Sequence, residues 1–353
     1  MDAARAARWL WHAPAALPLR AALLPAAGLF RAAVAVRNAA YDVGLLGCRP
    51  LPAPAIGVGN LAVGGTGKTP VSAFLAAALA ERGCRPAVVL RGYGGDEAEE
   101  HARRPGAIVE ADPDRIAAAV RAVAGGADCL VLDDCLQRRD IAPDLMVAVV
   151  AAETWAGPRW PLPAGPWREG IGALARADLV LVTARTAPEP AAAALGAALA
   201  PRTRAGGWIT AVLEPVSLRP LAGGPPEPVA SLAGRDVVAF CGIGEPGLFA
   251  DQLRQTGASV RLLAFGDHHP YTARDVRAII DATAKRGVAV TTAKDAVKLR
   301  HLWPTDGPRC LVAELTVRIT GGADVLGAAL DRVATAARAP RSSATAAPPA
   351  RRS

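Results

Sequence analysis

The residues best placed to do chemistry lie between positions 59 and 70, where the chain reads Gly-Asn-Leu-Ala-Val-Gly-Gly-Thr-Gly-Lys-Thr-Pro. Glycines let successive backbone N–H groups turn toward one point, a nest for phosphate oxygens. A helix leaving the nest adds the positive end of its dipole. In such a loop Gly64, Gly65, Thr66 and Gly67 cradle the phosphates, Lys68 reaches the β- and γ-phosphates, and the Thr69 hydroxyl ligates Mg²⁺. The strict pattern has Gly five residues before Gly67; Ala62 stands there, and Gly64 and Gly65 offset the change in part. The loop therefore implies ATP and Mg²⁺ as cofactors. A second signal is Asp128-Cys-Leu-Val-Leu-Asp133-Asp134, an apolar strand that ends in two acids. Carboxylates at the carboxyl end of a strand beside a phosphate loop are placed to hold the metal.

The elements that must position these residues are legible as alternating runs. Ala55–Gly59 reads as the strand entering the loop and Pro70–Glu81 as the helix leaving it, with Pro70 in the first turn and Gly83 past the end. Ala87–Leu90, Cys129–Leu132, Leu145–Val150 and Leu179–Thr183 are short β-rich runs of the buried-strand type. A second series follows at Trp208–Leu213, Val237–Cys241, Ser259–Ala264, Val288–Thr292 and Cys310–Leu315. Strands alternating with helices predict an α/β fold: a P-loop NTPase-like parallel sheet domain and a second, smaller α/β domain. The expected boundaries are an N-terminal segment over 1–46, the P-loop domain over 47–205, the smaller domain over 206–338 closing a cleft, and a disordered Ser/Ala/Pro/Arg tail over 339–353.

Composition narrows the class. Hydrophobic residues make up 52% of the 353 and charged residues 20%, enough apolar matter for large cores. The six cysteines form no CxxC pair and are expected as reduced thiols in a cytosolic setting. The net charge of +8 suits nucleic acid, an anionic membrane or phosphorylated substrates. No helix-turn-helix, zinc knuckle or aromatic-basic interleaving accompanies it, so nucleic acid is not an expected partner, and no motif asks for an obligate protein partner. Much of the excess lies at the ends. From Ala3 to Tyr41 the charges are Arg5, Arg8, Arg20, Arg31 and Arg37, with no acid, interspersed with Trp9, Trp11, Leu17, Leu23, Leu24 and Phe30. The apolar run Ala21–Phe30 is shorter than the ~18 residues of a span. The composition is that of a helix lying in an anionic membrane interface.

The loop alone leaves the acceptor open, since nucleotide kinases, small-metabolite kinases and other NTPases share it. A GTPase would carry Asn-Lys-x-Asp, and Thr292-Ala-Lys294-Asp295 lacks the Asn and the spacing. Eight stretches taken in order narrow the choice: Val58–Pro70, Arg91–Gly95 (RGYGG), Gly95–Glu97 (GDE), Asp133–Arg139 (DDCLQRR), Leu162–Glu169 (LPAGPWRE), Phe240–Phe249, Phe265–Thr272 (FGDHHPYT) and Thr291–Leu299. Together they make the chain resemble the tetraacyldisaccharide 4'-kinases of lipid A biosynthesis from Tyr41 to about Leu315. The chain departs from that pattern at Leu90, Cys135, Arg138 and Ala293, and RGYGG runs straight into GDE where the family has a longer stretch.

The resemblance implies transfer of the ATP γ-phosphoryl group to the 4'-hydroxyl of tetraacyldisaccharide 1-phosphate, giving lipid IVA at the cytoplasmic face of the inner membrane. It implies Asp96 as the base, with His268, or less directly His269, as its partner, and Glu169 beside Asp133, Asp134 and Thr69 at the metal. A carboxylate partnered by histidine suits removal of a hydroxyl proton. Arg168 would steady phosphate charge by bidentate contact. Gly242-Ile-Gly244 and Thr292–Asp295 are expected to shape the cleft, and Lys294 to meet phosphate or solvent.

Overall fold

The computed structural model describes residues 3–92, 96–102, 108–284 and 287–339. Three helices open the chain: α1 (Ala3–His12), α2 (Leu17–Ala22) and α3 (Leu24–Asp42). The first α/β series runs β1 (Ala55–Gly59), α4 (Lys68–Glu81), β2 (Pro86–Leu90), α5 (Asp96–Ala102), β3 (Ile108–Ala111), α6 (Arg115–Ala124), β4 (Cys129–Leu132), β5 (Leu145–Ala151), α7 (Ala152–Trp155), β6 (Leu179–Ala184), α8 (Glu189–Leu199) and β7 (Gly207–Pro220). The second runs β8 (Glu227–Pro228), β9 (Asp236–Cys241), α9 (Pro246–Gln255), β10 (Ser259–Ala264), α10 (Ala273–Ala284), β11 (Val288–Thr292), α11 (Ala293–Leu299), β12 (Cys310–Gly321) and α12 (Ala323–Arg338).

The described strands form one sheet in the order β10-β9-β11-β12-β7-β6-β5-β1-β4-β2-β3, with β8 against β7. All pairs are parallel except β7 with β12 and with β8. β1 lies between β4 and β5, so the loop after β1 and the acids after β4 emerge side by side at the same edge. The strands β1, β2, β4, β5 and β6 are buried on both faces, as helix-covered parallel strands must be. Helix α4 begins after Gly67, whose φ of 86° is a left-handed turn that glycine adopts without strain, and buries Val71, Leu75 and Leu79 at i, i+4 and i+8.

Residue 206 is not a clean divide. β7 pairs with β6 over Gly207–Val212 and then runs on to Pro220 against β12. Helix α12, expected within the 206–338 unit, packs Leu326, Leu330 and Val333 into the cluster that holds Val71 and Leu75. The reason is the length of β12: it pairs with β11 at its start and with β7 to Gly321, and so carries the chain back across the sheet. A pairing irregularity between Glu314 and Leu315 marks the crossing. The tail over 340–353 lies outside the described residues.

The N-terminal helices sit on the first half. Arg139 donates to the Asn38 carbonyl and to Asp42, at 2.8 and 2.7 Å, and lies over the Tyr41 ring. Trp11 Nε1 donates to the Pro163 carbonyl at 3.0 Å. Arg20 is turned inward, donating to the Trp11 and Ala13 carbonyls, and so is not part of a basic surface. Among the described residues no single helix is long and apolar enough to cross a membrane; the pair Pro14–Ala22 and Leu24–Asp42 is bent by 63°.

Leu75 is fully buried between α4 and the sheet. Leu75→Ala is expected to cost about 2–5 kcal/mol, read as a lower urea midpoint with unchanged slope.

Candidate active site

The loop, the acids and the second half meet in one cavity of about 1190 Å³ at the carboxyl edge of the sheet. Gly67 must be glycine: besides its positive φ, a Cβ there would lie 2.4 Å from Leu213 Cδ1. Lys68 Nζ, at the start of α4, is 3.5 Å from Asp134 Oδ1. Arg168 Nη1 donates to both Asp134 oxygens, at 2.9 and 2.8 Å. Burial opposes ionisation of Asp134, but Lys68 and Arg168 outweigh it and hold its carboxyl below the usual carboxylate range. Asp134 is also bent to a φ of 54°, an uncommon conformation for a residue with a side chain. Asp133 is buried. Its Oδ2 accepts from Thr69 Oγ1 at 3.5 Å, its Oδ1 from the Asp134 N–H at 2.9 Å, and its carbonyl from Arg115 Nη2 at 2.9 Å. Thr69, Asp133 and Asp134 thus offer clustered hard oxygen donors of the kind Mg²⁺ takes.

The second half supplies the facing wall. A Cβ on Gly244 would lie 2.5 Å from the Gly65 nitrogen, so the turn after β9 rests on the phosphate loop itself. Asp295 shapes that turn from below, accepting from the Gly242 N–H at 3.0 Å and from Thr292 Oγ1 at 2.7 Å; burial pushes its carboxyl up. His268, at a φ of 57°, lines the cavity with Asp267 and Lys294. Lys294 Nζ lies 3.0 Å from Asp267 Oδ1 and 3.0 Å from His268 Nε2. An ammonium only donates, so in this contact His268 Nε2 is the acceptor.

A glycine-rich nest, two acids on a neighbouring strand and a histidine on the facing half form a phosphoryl-transfer arrangement, and relatives of known activity share the chain. The family profile for tetraacyldisaccharide-1-P 4'-kinase matches residues 19–335. The tetraacyldisaccharide 4'-kinase of Anaeromyxobacter dehalogenans is 41% identical over 340 residues, covering 88% of this chain and 89% of that one. That of Xanthomonas campestris is 35% identical over 309 residues, covering 82% and 86%. The chain belongs to the tetraacyldisaccharide-1-P 4'-kinase family. A solved family structure, the Aquifex aeolicus protein in complex with ATP, superposes with a TM-score of 0.69 at 26% identity, covering 89% of this chain and 99% of that one.

In this family member the structure brings Gly64, Gly65, Gly67, Lys68, Thr69, Asp133, Asp134, Arg168 and His268 to one cavity. It does not bring three of the expected residues there. Glu169 faces away: Arg176 Nη2 grips both its oxygens at 2.8 Å, Asn38 Nδ2 donates to it at 3.0 Å, and Arg37 is 3.9 Å away. It ties α3 to the kinase core. His269 stacks on Phe265, with Nε2 3.2 Å from Asp275, and so supports the loop that presents His268. Thr66 is held beneath the loop, its hydroxyl accepting from Asn60 Nδ2 at 2.9 Å. Asp96 opens α5; its side chain lies outside the described residues. Sequence reasoning missed Arg115 and Arg185, both on the cavity wall. Their only signal is position, at the first turn of α6 and at the carboxyl end of β6.

The Gly244 contact gives a direct test. Gly244→Ala must push the second half off the loop, at an expected cost of about 1–3 kcal/mol, seen as a rise in KM for ATP together with a lower melting temperature.

Proposed function

We propose that this protein transfers the γ-phosphoryl group of MgATP to the 4'-hydroxyl of tetraacyldisaccharide 1-phosphate, producing lipid IVA, at the cytoplasmic surface of the inner membrane. The observation that carries the reading is the single cavity in which Lys68, Thr69, Asp133, Asp134 and Arg168 face Asp267, His268 and Lys294. Phosphoryl transfer is mainly positioning and neutralisation of charge, and these groups supply both. The loop amides and Lys68 bind the phosphates; Arg168 adds a planar cation beside them. Thr69, Asp133 and Asp134 would hold Mg²⁺, which when bound neutralises charge on the β- and γ-phosphates. The acceptor hydroxyl loses its proton to Asp96, with His268 as partner, oriented by Lys294.

The lipid acceptor asks for access to a bilayer, and the N-terminal surface supports it. Of the twelve large hydrophobic side chains exposed among the described residues, nine lie before residue 47. Leu29, Val36 and Val43 are 75%, 70% and 72% exposed, at spacings of seven along and just past α3, and therefore on one face. Such an apolar face on a helix with exposed Arg31 and Arg37 suits the interface of an anionic membrane.

The deciding experiment is transfer of label from γ-labelled ATP to tetraacyldisaccharide 1-phosphate in mixed micelles. Labelled bis-phosphorylated lipid is expected with Mg²⁺ and none with excess chelator; product without metal, or none with it, would overturn the reading. Lys68→Ala is expected to lower kcat/KM by about a hundredfold or more. Leu29→Asp with Val36→Asp is expected to abolish sedimentation with phosphatidylglycerol vesicles while ATP binding stays intact.

A further inference from the structure

Two carbonyls of the phosphate loop are gripped by side chains from the end of β6. Arg185 Nη1 donates to the Gly65 carbonyl at 2.7 Å, and Thr183 Oγ1 donates to the Thr66 carbonyl at 2.9 Å. A trans peptide points its N–H opposite its C=O. Holding the Thr66 carbonyl toward β6 therefore turns the Gly67 N–H away from β6. Arg185 is itself held. Its own N–H, with those of Thr186 and Ala187, donates to Glu153 Oε1 at 2.5, 2.9 and 3.1 Å, which locks the turn that presents the guanidinium. Glu245 of the second half lies against Gly65, 3.6 Å from where a Cβ would stand to its Cγ; burial holds the Arg185 guanidinium below its ordinary value, and the charges of Glu153 and Glu245 oppose that only in part.

We propose that Arg185, seconded by Thr183, is the positioning residue that holds the phosphate loop in its nucleotide-binding shape. The inference rests on the reading of the loop as an ATP site. A hydrogen bond from a charged donor to a partly buried carbonyl is worth about tenfold to a hundredfold in a binding constant.

The test is equilibrium binding of a fluorescent ATP analogue with Mg²⁺, without lipid, alongside KM and kcat for both substrates. Arg185→Met is expected to weaken nucleotide binding about tenfold to a hundredfold, with the KM for the lipid unchanged. Arg185→Lys is expected to recover part of the loss, and added guanidinium to restore Arg185→Ala in part. Thr183→Val, which keeps the shape and removes only the hydroxyl, is expected to weaken binding by about fivefold and serves if the Arg185 variants fail to fold. Variants that bind nucleotide as wild type does, or that raise both KM values together while lowering the melting temperature, would overturn the proposal and leave the kinase reading standing. Wild-type protein that binds no nucleotide would overturn both.

Discussion

Two adjacent carboxylates stand at the end of a buried strand, and much of the molecule is arranged to meet their charge. Asp133 and Asp134 leave β4 beside the phosphate loop, and for Asp134 burial alone would favour the protonated form. Lys68 comes from the first residue of α4 and Arg168 from the loop before β6, both onto the Asp134 carboxylate, while Arg115 from the first turn of α6 holds the Asp133 backbone carbonyl. Lys68 and Arg168 belong to different segments, so the Asp134 carboxyl is held below its usual range only when both fold onto one sheet edge.

The same edge joins the halves. Because β7 and β12 run through both parts of the sheet, the facing wall is hydrogen-bonded to the phosphate-loop half rather than tethered by a linker. Close approach then becomes a steric matter, and the chain meets it with glycines. Gly244 against Gly65 and Gly67 against Leu213 are contacts that a single methyl would break. Lys294 extends this economy to polar groups, bridging Asp267 and His268 so that one ammonium orients both.

Consecutive residues can serve opposite sides of a loop, and Arg168 with Glu169 does so. Arg168 points into the cleft and holds Asp134, while Glu169 points out and holds Asn38 of α3 with the help of Arg176. The apolar N-terminal helices are thereby attached next to the residues that handle phosphate.

The strands β1, β4, β10 and β11 and the phosphate loop were legible in the residues because their causes are local: alternation of apolar runs, a glycine where φ must be positive, a proline in a first turn. The resemblance across eight ordered stretches carried the family and the reaction class. Partnership between charged side chains was not legible in this way. Glu169 read as a metal ligand and His269 as a catalytic partner because each stands in a motif, yet neighbours from α3 and from Asp275 claim them. Arg20 read as surface charge and is folded onto the Trp11 and Ala13 carbonyls. Arg185 carries no motif, and only the placement of β6 near β1 brings it to Gly65. The sequence by itself determined which backbone segments could form the nest, since that depends on steric limits at each residue. The tertiary structure decided which ions meet, since a charge takes whichever partner the packing of distant segments leaves within reach.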